Sequence, residues 1–224
     1  MSGGADAASA GGPDFFPRER VPPARDDASV PAMQTSERGP FGNAARHRPL
    51  AALEACLRAL GPASGRSGRV ALLVRRADGV RDTPERVRLT GDEGLAGDDW
   101  SRRPPRDPEA QLTVMRREVA ELIANGQPLT LFGDNLFVDL DLAAAVQAPG
   151  TRFRVGGALV EVTAKPHDGC AKFLQRFGAD ALRFVQAGPT RHQNLRGVYW
   201  KVVEAGEVRV GDPIEALATT LEAG

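Results

Sequence analysis

Apolar and polar residues alternate in short runs from about residue 69 onward, a pattern typical of half-buried β-strands. Turn sequences such as Asp78-Gly79 and Gly156-Gly157 separate the runs. The predicted strands are 69–76, 80–89 (paired back with the first), 111–115, one after the turn at 133–135, a hairpin at 151–163, and a last hairpin of 196–203 and 208–210 around Ala205-Gly206.

Helical spacing replaces this alternation in a few segments. Leucines at positions 50, 53, 57 and 60 predict a helix over 49–60, which Gly61-Pro62 would end. Further short helices are predicted at 116–125, 170–177 and 180–186, with Gly126 and Gly178 stopping the first two.

Short strands at hairpin spacing, with short helices between them, predict a mainly β (α+β) fold. We expect a closed or semi-closed β-barrel with short helical insertions over residues 69–217. Residues 1–45 are rich in Gly, Ala, Pro, Ser and Asp and predict a disordered tail, with a helix and linker at 46–68 and a second tail at 218–224. Translation from Met33 is a second possibility, which the intact mass of the native protein would test.

Charge and cysteine content narrow the function classes. Lys plus Arg equals Asp plus Glu at 29 each, so no basic excess favours nucleic acid. No apolar stretch is long enough to cross a membrane, and the N-terminus lacks the apolar core of a secretory signal. Two widely separated cysteines make no disulfide framework, so we expect a cytoplasmic protein.

The segment KPHDGCAK at 165–172 holds the clearest candidate chemistry, because it joins one of two cysteines to one of three histidines between two lysines. Nearby cations favour a thiolate, the form of cysteine that attacks electrophiles and binds metals. Asp168 is a candidate N-cap for the helix that follows. The segment therefore makes Cys170 a candidate nucleophile or metal ligand.

The same spacing supports a second interpretation of Cys170. Cys170, Phe173, Leu174 and Phe177 share one helical face, so Cys170 is equally a candidate for core packing. Cys56, in the leucine-rich helix, is interpreted as a packing residue. Zinc is the weaker metal option, since His167 and Cys170 supply only two ligands and no other Cys/His cluster completes a tetrahedral set.

Several stretches resemble, in order, the MOSC domain, named after the C-terminal domain of molybdenum cofactor sulfurases. They are GLAGD at 94–98, QLTVM at 111–115, GDNL at 133–136, the hairpin at 150–163, HDGC at 167–170, LRGV at 195–198 and GEVRVGD at 206–212. The chain departs from many stand-alone members, which carry His-Gly-Gly after the first of these loops where this chain has WSRRPP at 100–105.

The resemblance implies a strand-rich barrel in which Cys170 matches the key cysteine of the family. In some members this residue ligates molybdenum in a pterin cofactor, and in others it has been proposed to carry sulfur as a persulfide. Stand-alone bacterial members include reductases of N-hydroxylated compounds. Pyridoxal phosphate is a family-level association only.

Other residues are assigned candidate roles by their chemistry. Lys165, Lys172 and Arg196 suit a pterin phosphate or a thiolate. His167 is a candidate proton-transfer group near neutral pH. Three loop residues could hydrogen-bond a planar heterocycle: Asp134, Asn135 and Asn194. Each has an ordinary structural alternative, as a solvated charge or a turn former, and Asp98 is a weaker candidate still.

We therefore predict a protein that binds a molybdopterin-type cofactor through Cys170 and reduces N-hydroxylated or related small molecules. Its partners would be a small-molecule substrate and a separate redox protein, because no flavin, haem or iron–sulfur motif is present. Two alternatives stay open: a sulfur carrier that receives a persulfide from a cysteine desulfurase, and a non-catalytic binding module with Cys170 buried.

Overall fold

The computed structural model describes residues 41–102, 104 and 106–218. Most of the predicted N-terminal tail, the alternative start at Met33 and nearly all of the short C-terminal tail therefore lie outside the described residues. Residues 41–45 belong to the predicted tail but are described by the structure, and there the backbone N–H of Asn43 donates to the side-chain oxygen Oε1 of Gln127 at 2.6 Å.

The described chain forms four α-helices and twelve short strands. The helices are α1 (Leu50–Ala59), α2 (Arg117–Ala124), α3 (Ala171–Phe177) and α4 (Ala179–Gln186). The strands are β1 (Ser67–Leu73), β2 (Arg75–Ala77), β3 (Val80–Asp82), β4 (Arg86–Thr90), β5 (Gly94–Leu95), β6 (Leu112–Arg116), β7 (Leu136–Val138), β8 (Arg152–Val155), β9 (Ala158–Val162), β10 (Val198–Glu204), β11 (Gly206–Arg209) and β12 (Pro213–Ala216).

Seven strands close into a barrel, which confirms the predicted fold class. The strand order is β1-β12-β8-β9-β10-β6-β7, and β7 pairs back with β1. All neighbours are antiparallel except β6 and β7, which run parallel because α2 lies between them in sequence. Closure leaves these strands with hydrogen-bonded neighbours on both sides, so the barrel is a rigid support for the loops at its ends.

Inward-facing side chains fill the barrel. Trp200 is fully buried and stacks on Phe153 with ring centroids 5.5 Å apart, while its indole N–H donates to Gln147 Oε1 at 3.0 Å. A buried indole needs such a partner, since an unpaired polar group in the core is costly. The interior is therefore a packed core rather than a ligand channel.

A second apolar cluster joins the helices to the outside of the barrel. Leu53 of α1, Ile123 of α2, Phe177 of α3 and Phe184 of α4 are all buried in it. Phe132 stacks on Phe177 at 4.1 Å and links the loop before β7 to α3. This packing fixes α3, and with it the segment that carries Cys170.

The predicted turns agree with the structure better than the predicted pairings between strands do. The hairpin of β8 and β9 and the turn at 78–79 between β2 and β3 are confirmed. The predicted strand 80–89 is in fact two strands, because Pro84 lies between β3 and β4 and the second one pairs with β11. The predicted last hairpin is wrong: β10 pairs with β6 and β9, whereas β11 leaves the barrel to join β4. After β11 the chain continues into β12, which pairs with β1 and β8 in the barrel.

Helix boundaries follow the predicted stops within a residue or two. Asn125 takes a left-handed conformation (φ 48°) at the end of α2, and Gly126 follows it with φ 82°. Among the residues that the structure describes, no helix combines the length and apolar character needed to span a membrane.

Candidate functional site

The loop between β9 and α3 is fastened to the barrel at its start. The backbone N–H of Thr163 donates to the Tyr199 carbonyl at 3.0 Å, and its hydroxyl donates to the Glu109 carbonyl at 2.7 Å. Lys165 then forms an ion pair with Asp107. The chain thus leaves the barrel edge in a fixed direction and reaches Cys170 five residues later.

Cys170 caps α3 rather than lying within it. Its backbone is extended (φ −120°, ψ 177°), the helix begins at Ala171, and the thiol is exposed. The core-packing interpretation of Cys170 is therefore wrong, and so is a binding module that buries this thiol. The physical reason is local: a residue in extended conformation does not share the buried helical face of Phe173 and Phe177.

Asp168 does not cap α3, contrary to the prediction. The N-cap position is occupied by Cys170, which makes no side-chain cap hydrogen bond. The Asp168 carboxylate instead accepts from Arg191 Nη2 at 3.0 Å. This ion pair joins the Cys170 loop to the segment that precedes β10.

The side chain of His167 is buried. It is only 5% exposed, and its ring packs on Tyr199 with centroids 4.4 Å apart. Nε2 lies 3.7 Å from Asp134 Oδ1, and no residue of the described chain pairs with Nδ1. Burial lowers the pKa of His167 well below its usual value, and the charges of Arg196 and Arg76 lower this pKa further. His167 is therefore a neutral imidazole at physiological pH.

Arg196 and Asp134 form a buried ion pair next to His167. Arg196 Nη1 donates to Asp134 Oδ2 at 2.7 Å, and the guanidinium lies 5.2 Å from the centre of the Phe173 ring. Asp134 Oδ1 and Arg196 Nε have no hydrogen-bond partner among the described residues. With His167 Nδ1, three buried polar atoms of three neighbouring residues therefore have no protein partner in the described chain, and they are able to bind a ligand or water.

Asn135, by contrast, is fully engaged with protein. Its amide oxygen accepts from Thr113 and Arg76, and its amide nitrogen donates to Asp98 Oδ2 at 3.1 Å and to the Val74 carbonyl at 3.3 Å. Such a network leaves Asn135 without spare capacity for a heterocycle. The structure places it beneath the site, where it holds the loop that carries Asp134.

The remaining predicted residues stand apart from this group. Lys172 is exposed and has no partner in the described part of the chain, and Lys165 is held by Asp107. Asn194 donates to the Leu142 carbonyl at 2.8 Å. It lines a separate cleft of about 830 Å³, between α1, α4 and the segment before β10, whose lining includes neither Cys170 nor His167.

Sequence reasoning missed three arginines that converge on the loop at Gly133. Arg76 Nη1 donates to the Gly133 carbonyl at 2.9 Å, and a methyl group placed on Gly133 would lie 3.2 Å from Arg81 Nη2 and 3.8 Å from Arg176 Nη1. One signal was available: Arg176 shares the buried helical face of Phe173 and Phe177, where an arginine needs a specific reason.

The arginines crowd one another. Burial, together with the charges of Arg176 and Arg76, lowers the pKa of Arg81 to about 10. Burial also lowers the pKa of Arg176, whose surroundings include the charges of Cys170 and Arg196. Asp98 neutralises Arg76 and Asp134 neutralises Arg196, while Arg81 donates to the carbonyls of Thr130 and Leu131. An anion bound here would relieve the repulsion.

No group of three or more His, Cys, Asp or Glu side chains arranged to hold a metal ion occurs within residues 41–102, 104 and 106–218. The site as described therefore consists of an exposed thiol, a neutral histidine, a buried ion pair and a cluster of arginines.

Several solved structures are similar to this chain, and that of YuaD supports the fold. The chain is similar to the YuaD protein from Bacillus subtilis, with a TM-score of 0.52 and 16% sequence identity over 67% of this chain and 95% of that one. The YiiM protein from Escherichia coli is 24% identical, with a TM-score of 0.44, over 67% of this chain and 70% of that one. The YiiM protein from Geobacillus stearothermophilus is 18% identical, with a TM-score of 0.43, over 72% and 78% of the two chains.

No curated protein matches the chain. The family model of the MOSC domain matches residues 98–215, more than half of the chain and most of the barrel. The chain therefore belongs to the MOSC domain family.

Proposed function

We propose that this protein binds a molybdopterin-type cofactor with the Cys170 thiolate as its protein ligand to molybdenum. The supporting observation is an exposed Cys170 whose charge interacts with that of the buried Arg176, one of the arginines crowded at Gly133. A soft thiolate suits molybdenum in a sulfur-rich cofactor, and arginine suits the phosphate that such a cofactor carries.

The residues present fit such a group. Arg76, Arg81 and Arg176 would hold its phosphate, and the unpaired atoms of Asp134 and Arg196 would bind polar edges of the pterin. Lys172 is exposed near the thiol in sequence and would add positive charge at the entrance. When bound, the cofactor supplies a two-electron redox centre.

The chain itself would bind and orient the substrate and handle protons. His167 is neutral and buried, so it can accept a proton at an imidazole nitrogen or pass one inward without adding a fixed charge. Asp134, 3.7 Å from Nε2, would stabilise a transiently protonated imidazole. We infer that the reaction is the reduction of N-hydroxylated small molecules, with electrons from a separate redox protein in the cytoplasm.

The decisive experiment compares wild-type protein with Cys170→Ser and, as the matched control, Cys56→Ser, all purified from a host that makes the cofactor. We expect wild type and Cys56→Ser to hold molybdenum and pterin in similar amounts, and Cys170→Ser to lose the metal. Reduction of an aromatic amidoxime with an artificial electron donor should follow the metal content. Stoichiometric molybdenum in Cys170→Ser would exclude the ligand role.

A sulfur carrier is the second candidate, favoured by the exposure of Cys170, because a partner protein must reach the thiol. The Cys170 thiolate would attack the outer sulfur of a desulfurase persulfide, the S–S bond of the desulfurase would break, and its cysteine would leave as thiolate. Incubation with desulfurase and cysteine, followed by intact mass, tests this transfer. A wild-type mass without added sulfur would contradict it.

A further inference from the structure

Tyr199, the sole tyrosine of the chain, lies on the outer face of the barrel wall. Its β10 neighbours Val198 and Trp200 are buried in the barrel core, and strand alternation places Tyr199 on the opposite side, where it is half-buried. There its ring packs on His167. The barrel thus presents a phenol to the side of the wall that carries the Cys170 loop.

The backbone at Tyr199 is held on both sides. It pairs with Thr113 of β6, and its carbonyl accepts from the Thr163 N–H at 3.0 Å and from the Thr163 hydroxyl at 3.3 Å. A side chain on a strand fixed in this way has a well-defined position, which a contact with a small ligand requires.

The phenol hydroxyl is an available donor. In the part of the chain that the structure describes, no hydrogen bond to it is found, although Thr163 and Thr113 satisfy the backbone of the same residue. Burial raises the pKa of Tyr199 above its usual value, and the charges that act on it are those of Arg196, Asp134, Lys165 and Cys170. The phenol is therefore protonated at neutral pH, in a position where it is sensitive to the charge on Cys170.

We propose that Tyr199 contacts the ligand of this site, with its O–H donating a hydrogen bond to an oxygen or sulfur atom bound on or beside Cys170. The inference rests on the proposed function only in placing the ligand at Cys170. An N–O oxygen accepts such a hydrogen bond, whereas the protonated amidine or amine left after reduction has only N–H donors. Tyr199 thus favours binding of the N-hydroxylated substrate over its product.

A test is available in the protein without cofactor. In a Cys56→Ser background, Cys170 is the single thiol and is treated with either iodoacetate, which attaches a carboxylate to its sulfur, or methyl methanethiosulfonate, which attaches a neutral group without oxygen. Tyrosinate absorbance at 295 nm then reports the ionisation of one residue. We expect the pKa of Tyr199 to be about one pH unit higher in the carboxymethylated protein than in the methylthiolated one.

Identical ionisation in the two forms would overturn the proposal, and Tyr199→Phe, which should lose the signal, confirms its assignment. If the chain unfolds at high pH, the ¹³Cζ chemical shift of the single labelled tyrosine near neutral pH decides the same question: equal shifts in the two forms would reject the contact.

Failure of the cofactor proposal is recognised separately, by the absence of molybdenum and pterin in wild type. In cofactor-loaded protein, Tyr199→Phe should keep its molybdenum and raise the KM for an aromatic amidoxime about tenfold, the loss of one hydrogen bond to a bound ligand. An unchanged KM would contradict the contact.

Discussion

The buried carboxylate of Asp98 accepts hydrogen bonds from three residues next to the candidate site, and its replacement should destabilise the protein strongly. Asp98 is 1% exposed and accepts five hydrogen bonds: from the backbone N–H, Nε and Nη2 of Arg76, from the Trp100 N–H and from Asn135 Nδ2. The network ties the loop at 94–98 to β2 and to the loop before β7. Asp98→Asn would turn one acceptor oxygen into a donor that faces other donors.

The expected cost follows from this geometry. Breaking a buried ion pair by removing one partner costs about 3–5 kcal/mol, and the 26% exposure of the Arg76 side chain places the value near the lower end, at about 3 kcal/mol. In a domain of this size that corresponds to a fall in Tm of about 6–12 °C. Asp92→Asn, an exposed aspartate in the same loop region, is the matched control and should change stability by less than about 0.5 kcal/mol.

The pH dependence of the stabilisation by Asp98 gives an independent check. Asp98 is buried, but its hydrogen bonds from Arg76 outweigh burial and lower its pKa below the usual value. The unfolded chain therefore binds the proton more readily, and the stabilisation is complete above the unfolded pKa of about 3.9 and lost as pH falls through the folded pKa. In urea unfolding at several pH values, the free energies of unfolding of wild type and Asp98→Asn should become similar in acid. Equal stability of Asp98→Asn and Asp92→Asn at neutral pH would refute the reasoning.

Three further predictions concern the loop residues and the thiol. Gly197→Ala should lower Tm by several degrees, because φ is +100° and a Cβ would collide with the Val114 carbonyl, whereas Gly91→Ala, with open space around it, should leave Tm nearly unchanged in thermal unfolding. Because the pKa of His167 is lower in the folded than in the unfolded protein, the free energy of unfolding should fall as pH drops below about 6.5, by up to about 1.4 kcal/mol per pH unit. His167→Gln should remove this slope, and a slope equal to that of wild type would count against a neutral, buried His167. The ratio of the reaction rate with iodoacetate to that with iodoacetamide should be several-fold higher for Cys170 than for the thiol of glutathione, since arginine charge attracts the anionic reagent. Equal ratios for the two thiols, with rates measured by mass spectrometry, would argue against an anion site.

Local signals predicted much of the fold. The Asp78-Gly79 turn, the hairpin at Gly156-Gly157 and the stop at Asn125 depend on backbone conformations that particular residues permit, so adjacent sequence suffices to find them. The ordered MOSC motifs likewise predict the family, which the family model confirms.

Pairings between distant segments could not be predicted in this way. β10 and β11 are separated by one residue, yet β10 completes the barrel and β11 pairs with β4, more than a hundred residues earlier. Which edge a strand joins is decided by the packing of the whole sheet, and hairpin spacing gives the wrong answer when a chain changes sheets.

The sequence alone determined the class of fold and the family, and it made Cys170 the candidate residue for its chemistry, because alternation, turn residues and ordered motifs are local properties. Only the tertiary structure decided which of the candidate side chains come together. It placed Asn194 in another cleft, used Asn135 to brace a loop, neutralised His167 by burial and gathered Arg76, Arg81 and Arg176 around one glycine. Burial and electrostatic fields arise from atoms far apart in the chain, so they exist only once the barrel and helices have packed.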